Sequence, residues 1–254
     1  MDVGCRGLAF VHTMAITVAR PLQNFTGFPN IGDLSITGVS LHGNVNGARR
    51  FATWSGKDKM AANRATRIAL ICAGQSIGAR SSVFGSDKEL VDEEEKRVLQ
   101  MYAGDIEVNA PLLAAPERNA VQTASLVSKT FEIEEPLSEL NFGRWKQMTL
   151  HSVAEAEPDN LRAWLSDPYA APHGGETIAA LIERARLWLD SQVTRGGKLV
   201  AVTNQSMIRA MLIAILDAPA QAFWRLDVTP LSRTELSADG RRWSIRIDGR
   251  TERT

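Results

Sequence analysis

Residues 67–76 read R-I-A-L-I-C-A-G-Q-S. The apolar run has the length of a buried strand, and Gly74 opens the turn at its end. From this strand onward, short apolar runs alternate with helical patterns, which is typical of βαβ units. The sequence therefore predicts an α/β fold whose largely parallel sheet begins at residue 67.

The pattern after this strand predicts the remaining elements. Residues 177–193 give the clearest helix, because apolar side chains recur at helical spacing along one face. The other helices are predicted at residues 87–102, 116–130 and 205–216. Strands are predicted at residues 109–114, 198–203, 232–237 and 242–248, with a turn at 238–240 between the last two.

Five segments, in order along the chain, resemble the sequence motifs of the histidine phosphatase superfamily, to which the phosphoglycerate mutases belong. The first is residues 67–76, similar to a strand that ends in R-H-G-(E/Q)-(T/S). The others are residues 115–124 (A-P-E-R-N-A-V-Q-T-A), 137–145 (L-S-E-L-N-F-G-R-W), 172–177 (P-H-G-G-E-T) and 199–210 (L-V-A-V-T-N-Q-S-M-I-R-A). Because order and spacing agree together, the resemblance is specific. It implies a three-layer α/β/α fold with a largely parallel central sheet and helices on both faces.

The resemblance also implies what each site residue should be. In the family a histidine accepts the phosphoryl group, two arginines and a second histidine hold the phosphate, and a carboxyl group protonates the leaving oxygen. At the matching positions this chain has Cys72 and Asn119 for the arginines, Ala73 for the nucleophile and Asn204 for the second histidine. Glu139 keeps the family's residue type, at the position of the proton donor.

These replacements predict a catalytically inactive member of the family, a pseudoenzyme with a small-molecule-binding, regulatory or interaction role. Alanine offers no nucleophile, and phosphate monoesters are so unreactive that enzymes accelerate their hydrolysis by up to ~10²¹. The pocket combines uncharged polar groups with the Glu139 carboxylate, so we expect it to repel a phosphate dianion and to prefer a neutral or weakly charged ligand. Its predicted residues are Cys72, Ala73, Gly74, Gln75, Asn119, Glu139, Asn204 and Gln205.

The alternative is an active phosphatase or phosphoglycerate mutase-type phosphohydrolase that uses other residues. Cys72 is one candidate nucleophile, because a thiolate that faces helix N-termini can have a lowered pKa. The competing interpretation of Cys72 is a buried small side chain. His173, beside the Gly-Gly-Glu turn, is the other candidate, and its competing interpretation is an exposed loop histidine.

Three arginines and one acidic run also allow a functional and a structural interpretation. Arg80 and Arg118 are additional pocket candidates. Arg118 precedes Asn119 by one residue, and such a step turns a helical side chain by about 100°, so a solvated helix arginine is favoured. Arg209 is predicted to form a structural ion pair. The acidic residues 92–95 are interpreted as a solvated helix face.

The composition limits the possible partners. Among 254 residues, 29 Lys and Arg balance 29 Asp and Glu, without the basic clusters of a nucleic-acid surface. No apolar run approaches the roughly eighteen residues of a membrane span. Cys5 and Cys72 lie far apart, which argues against a disulfide framework and favours the cytoplasm.

No metal and no cofactor are predicted. The predicted partner is an unidentified small molecule or protein, and a homodimer is left open.

Residues 1–60 differ from the remainder of the chain. They are rich in Gly, Asn and Thr and lack clear periodicity. We therefore predict a poorly ordered N-terminal extension, followed by a histidine phosphatase-like domain at residues 61–254. Met60 stands where chains of the family start, which makes a mis-assigned start codon one interpretation. A genuine extension that packs on the domain or binds a partner is the other.

Overall fold

The structure is a computed structural model that describes residues 65–102 and 110–247. The predictions for residues 1–60 and for Met60 lie outside the described residues.

The described part of the chain contains one six-stranded sheet. Its strands are β1 Thr66–Cys72, β2 Leu112–Ala114, β3 Glu132–Ile133, β4 Gly197–Thr203, β5 Arg233–Ala238 and β6 Trp243–Ile247. The spatial order is β3-β2-β4-β1-β5-β6, with the first four strands parallel and the last two antiparallel to their neighbours. Consecutive residues of β1 from Ile68 onward are buried, so both faces of this strand are covered. The predicted α/β class with a largely parallel sheet is confirmed.

Seven α-helices and three short 3-10 helices are described. The α-helices are α1 Ile77–Arg80, α2 Asp92–Tyr102, α3 Arg118–Val127, α4 Leu150–Ala156, α5 Pro158–Ser166, α6 Ile178–Arg195 and α7 Gln205–Leu216. The 3-10 helices are Glu135–Leu137, Gly143–Trp145 and Ala220–Arg225. Helix α6 buries the predicted apolar face, from Ile178 to Leu189, against the core.

Two predicted helix starts are wrong. The helix predicted from residue 87 begins at Asp92, because the chain before it runs extended beside α1, where the Ile77 N–H donates to Glu89 O at 3.0 Å. The helix predicted from residue 116 begins at Arg118. Glu117 is its N-cap in extended conformation, with φ −66° and ψ 144°, because the preceding Ala115 N–H is bonded to β4 at Val202 O.

The carboxyl ends of β1, β4 and β2 meet at one edge of the sheet. Cys72 lies opposite Thr203, and Ala114 lies opposite Val202. The segments that leave these strands are the turn after Cys72, the start of α7 and the start of α3. In open α/β sheets this edge is where ligands bind.

The loop that carries Glu139 is held against residues 173–176 by close backbone contact. Glu176 N–H donates to Asn141 O at 2.8 Å, and Arg144 N–H donates to His173 O at 3.0 Å. A Cβ atom at Gly175 would lie 2.0 Å from Asn141 O. Glycine at this position is therefore required by the approach of two backbones.

We expect Gly175→Ala to lower the free energy of unfolding by about 3 kcal/mol, since backbone must move to admit the methyl group. Gly174→Ala is the matched control, because Gly174 has φ +75° but no atom within 4 Å of an added Cβ, and its conformational strain should cost only about 1 kcal/mol. Urea denaturation of both variants measures the difference. Equal losses would show that the close approach at Gly175 does not constrain the fold.

Candidate active-site pocket

The turn after β1 forms the floor of the site. Ala73 N–H donates to Thr203 O of β4 at 2.8 Å, and Gly74 N–H donates to Thr123 Oγ1 of α3 at 3.0 Å. Asn119 Nδ2 donates to Gly74 O at 3.2 Å. These bonds bring the first, second and fifth sequence motifs together, as their resemblance to one family site implies.

A chain of hydrogen bonds crosses the site from Asn119 to the loop of Glu139. Asn119 Nδ2 donates to Asn204 Oδ1 at 2.9 Å, and Asn204 Nδ2 donates to Glu117 Oε2 at 3.0 Å. The other oxygen of Glu117 accepts from Glu139 N–H at 2.8 Å. Both asparagines are buried. The two positions matched to phosphate-binding residues are therefore bonded directly to each other.

The carboxyl groups of Glu117 and Glu139 interact electrostatically at this point. Burial raises the pKa of Glu139, opposed by a hydrogen bond from Ser206 and by the positive charges of Arg209 and Arg184. Burial also raises the pKa of Glu117, and the negative charge of Glu139 adds to that shift. When both groups are ionised, their charges repel a third negative charge beside them.

A cleft of about 380 Å³ opens above this network. Of its described lining residues, three carry carboxylates, Asp87, Glu117 and Glu139, and Lys146 is basic. Asn204 and the ring of Phe142 complete the part nearest the network. The cleft is thus acidic where the family's site is cationic by the sequence resemblance.

Two of the eight predicted pocket residues, Glu139 and Asn204, line this cleft. Cys72, Ala73, Gly74 and Asn119 are buried and are absent from the described cleft lining. The side chain of Gln205 donates to Val228 O at 2.7 Å, while Gln75 N–H donates to Glu94 Oε2 at 3.2 Å.

The family follows from the comparison with known proteins. The model of the histidine phosphatase superfamily (branch 1) matches residues 69–248. The chain belongs to this superfamily.

Individual relatives cover the chain in part. The bifunctional protein Rv2228c of Mycobacterium tuberculosis is 31% identical over 148 residues, which are 57% of this chain and 40% of that protein. The chain thus spans about two fifths of that relative's length. Phosphoserine phosphatase 1 of Hydrogenobacter thermophilus is 25% identical over 138 residues, 52% of this chain and 65% of the relative. A mycobacterial glucosyl-3-phosphoglycerate phosphatase structure, 22% identical, superposes with a TM-score of 0.63 over 73% of this chain and 99% of that one.

Cys72 is completely buried at the position of the family's first arginine. Burial raises the pKa of its thiol far above the ordinary value, and the negative charge of Glu139 raises it further. The reactive thiolate form is therefore strongly disfavoured near neutral pH. This placement agrees with the interpretation of Cys72 as a buried small side chain.

The interpretation of His173 as an exposed loop histidine is wrong. His173 is 1% exposed and packs against an aromatic cluster, with its ring centroid 5.0 Å from that of Trp145 and 6.2 Å from that of Phe142. Its Nδ1 accepts from Gly175 N–H at 3.0 Å. The motif predicts the loop, but it gives no information about Trp145 and Phe142, whose rings pack against the imidazole ring. His173 is absent from the described lining of the cleft.

Arg80 and Arg118 form ion pairs outside the cleft lining, whereas Arg209 also acts electrostatically on Glu139. Arg80 is exposed and lies 3.6 Å from Glu93, and exposed Arg118 bonds Glu89 at 2.9 Å. Arg209 lies 3.8 Å from Asp227, the structural ion pair that was predicted. Arg80 and Arg118 are absent from the described cleft lining.

Sequence reasoning missed Glu117, Arg184 and Glu94. Glu117 occupies a variable position of the second motif, so the motif gave no signal for it. Arg184 donates to Ser138 O at 2.9 Å and binds Glu176 through both carboxylate oxygens, and it therefore anchors the loop of Glu139. The solvated acidic face proposed for residues 92–95 is wrong for Glu94, which is 5% exposed because it accepts from the turn at Gln75.

Among residues 65–102 and 110–247, no group of three or more His, Cys, Asp or Glu is placed to hold a metal ion. In the same part of the chain, no helix combines the length and apolar character needed to cross a membrane.

We expect the protein to lose stability as the pH falls below about 6.5, because of His173. Burial, and then the charge of Arg144, lower its pKa from the ordinary value of about 6.5. The unfolded chain therefore binds a proton more readily than the folded chain. The contribution of neutral His173 is complete above about pH 6.5 and is lost below it, by at most about 1.4 kcal/mol per pH unit.

Urea denaturation between pH 5 and about pH 7.5 measures this loss, with His173→Asn as the control. The asparagine oxygen can accept from Gly175 N–H as Nδ1 does, but the side chain does not titrate. The pH slope should be smaller in this variant. The same slope in both proteins would contradict the assignment to His173.

Proposed function

We propose that this chain is a histidine phosphatase-fold protein that does not carry out phosphoryl transfer, and that its cleft binds a small molecule or protein segment without a phosphate group. The observation that carries the proposal is the 2.9 Å hydrogen bond from Asn119 Nδ2 to Asn204 Oδ1. Two side chains at the positions of phosphate ligands satisfy each other, so neither is directed at a bound phosphate.

The absence of a suitable nucleophile supports the same conclusion. Covalent phosphoryl transfer needs an electron pair that can attack phosphorus, and Ala73 has none. The neighbouring Cys72 is buried and its raised pKa keeps it protonated. Glu139 remains at the position of a proton donor, but a proton donor acts on a leaving group only when an attacking group is present.

The charges of the cleft also oppose phosphate. Two like charges about 4 Å apart repel by roughly 4 kcal/mol at the effective dielectric constant of a protein surface. Glu117 and Glu139 flank the network on which a phosphate would have to rest. Lys146, on the cleft wall, is exposed, so solvent weakens its compensation. Neutral or cationic ligands are favoured.

The comparisons favour a second candidate function, an active phosphatase. The 25% identical relative from Hydrogenobacter thermophilus is named a phosphoserine phosphatase, and Glu139 retains the family's proton-donor residue type. Such an enzyme would need Cys72 or His173 as its nucleophile. Cys72 would have to lose its proton in a buried site, and His173 would have to leave its aromatic cluster.

A panel of phosphate monoesters separates the two functions. We expect the purified chain to release no phosphate from phosphoserine or glucosyl-3-phosphoglycerate above the rate of a protein-free blank, because no group can attack phosphorus. Cys72→Ser and His173→Ala are measured beside it. Turnover by the unaltered chain that disappears in either variant would establish the phosphatase and overturn the proposal.

We also propose that residues 61–254 carry this function, since the family match lies within them. A chain that starts at Met60 should then give the same result on the phosphate panel and the same thermal unfolding midpoint as the full chain. A lower midpoint in the shorter chain would assign residues 1–59 a structural role.

A further inference from the structure

We propose that the Glu117 carboxylate occupies the position of a bound anion in the pocket. It accepts hydrogen bonds from the N–H donors that such an anion would use, and it thereby prevents the cleft from binding phosphate. This inference rests on the proposed function of the cleft and names the residue that sets its specificity.

Glu117 accepts the hydrogen bonds that an anion bound at this position would accept. Its Oε2 accepts from Asn204 Nδ2 at 3.0 Å, and its Oε1 accepts from Glu139 N–H at 2.8 Å. One donor is a side chain at a position matched to a phosphate ligand, and the other is the backbone of the proton-donor position. Each carboxylate oxygen thus engages one of these two N–H groups.

The start of α3 explains why Glu117 points across the site. Glu117 is the N-cap of this helix, yet its side chain makes no capping bond. Asp87 Oδ1 instead accepts from the first helical N–H, that of Arg118, at 2.8 Å. Because another residue caps the helix, the longer side chain of Glu117 reaches the loop of Glu139 and the start of α7.

Burial and the negative charge of Glu139 disfavour an ionised Glu117 at this position. Its hydrogen bonds therefore stabilise the carboxylate there. Burial raises the pKa of Glu117, the hydrogen bond from Glu139 N–H lowers it, and the negative charge of the Glu139 carboxyl group raises it again. Among the described ion pairs none involves Glu117, whereas Arg184 pairs with Glu176 and Arg118 with Glu89. The two N–H donors are therefore its main described stabilising contacts.

Removing the carboxylate should open the position to an external anion. In Glu117→Ala the Asn204 amide and the Glu139 N–H lose their acceptor, and Asn204 lines the cleft directly. The free donors should then bind inorganic phosphate, while one opposing charge is removed. Phosphate affinity should rise at least about tenfold over that of the unaltered chain.

Isothermal titration of inorganic phosphate into the full chain tests this inference, with Glu139→Gln as the matched control. That variant removes one carboxylate from the same cleft but leaves both donors bonded to Glu117. The expected result is a gain in Glu117→Ala that clearly exceeds the gain in Glu139→Gln. Thermal unfolding of each variant establishes that it is folded, and Glu117→Gly, which also frees both donors and is tolerated at an N-cap, decides by the same criteria if Glu117→Ala does not fold.

Three results would overturn the inference: equal gains in the Glu117 and Glu139 variants, no gain at Glu117, or tight phosphate binding by the unaltered chain. Equal gains would show that charge alone excludes phosphate. Failure of the proposed function is a separate outcome, because it appears as phosphate monoester turnover by the unaltered chain. If the unaltered chain turns over no phosphate monoester and the Glu117 variant gains no phosphate affinity, only this inference is contradicted.

Discussion

The parallel pairing of β1 with β4 is the constraint on which the site depends. The register places Cys72 opposite Thr203, and the ladder continues past the strand through the bond from Ala73 N–H to Thr203 O. This pairing brings the turn at Gly74 and the start of α7 to the same edge of the sheet. Helix α3 joins them through Thr123 and Asn119. Backbone pairing therefore sets the edge of the sheet where the pocket lies, and two side chains of α3 bind that helix to it.

The side chains then form a network with a different charge from the family's site. A phosphate-binding pocket concentrates donors and positive charge around an empty space. Here two amides and a carboxylate, on Asn119, Asn204 and Glu117, satisfy one another across that space. Such a network stabilises the scaffold because buried polar groups find partners, while the nearby carboxyl of Glu139 carries a desolvation cost. The polar groups of the pocket are thus bonded to one another across that space.

Much of the fold could be predicted from the sequence, because alternating apolar runs and ordered motifs report backbone architecture. The strand at β4 and the apolar face of α6 agree with prediction to within a residue or two. Helix starts were less predictable. The segment before α2 contains acidic residues suited to a helix, yet its backbone bonds to the turn before α1 instead, and a local pattern cannot show such competition.

The candidate site was predictable at its motif positions and unpredictable between them. The replacement of family residues at Ala73 and Asn204 is visible in the sequence. The burial of His173 was not, because its aromatic neighbours come from segments distant in the chain. Glu117 occupies a variable motif position, and its role depends on Asp87 capping α3 in its place.

By itself, the sequence determined the family, the order of the four longer helices and of five of the six strands, and the absence of a histidine at position 73. These properties depend on local periodicity and on residue identity at spaced positions. Only the tertiary structure decided that Asn119 and Asn204 bond each other, that Glu117 faces Glu139, and that Cys72 is sealed from solvent. The physical reason is that hydrogen-bond partners and burial are set by side chains distant in sequence, which only the folded chain brings within bonding distance.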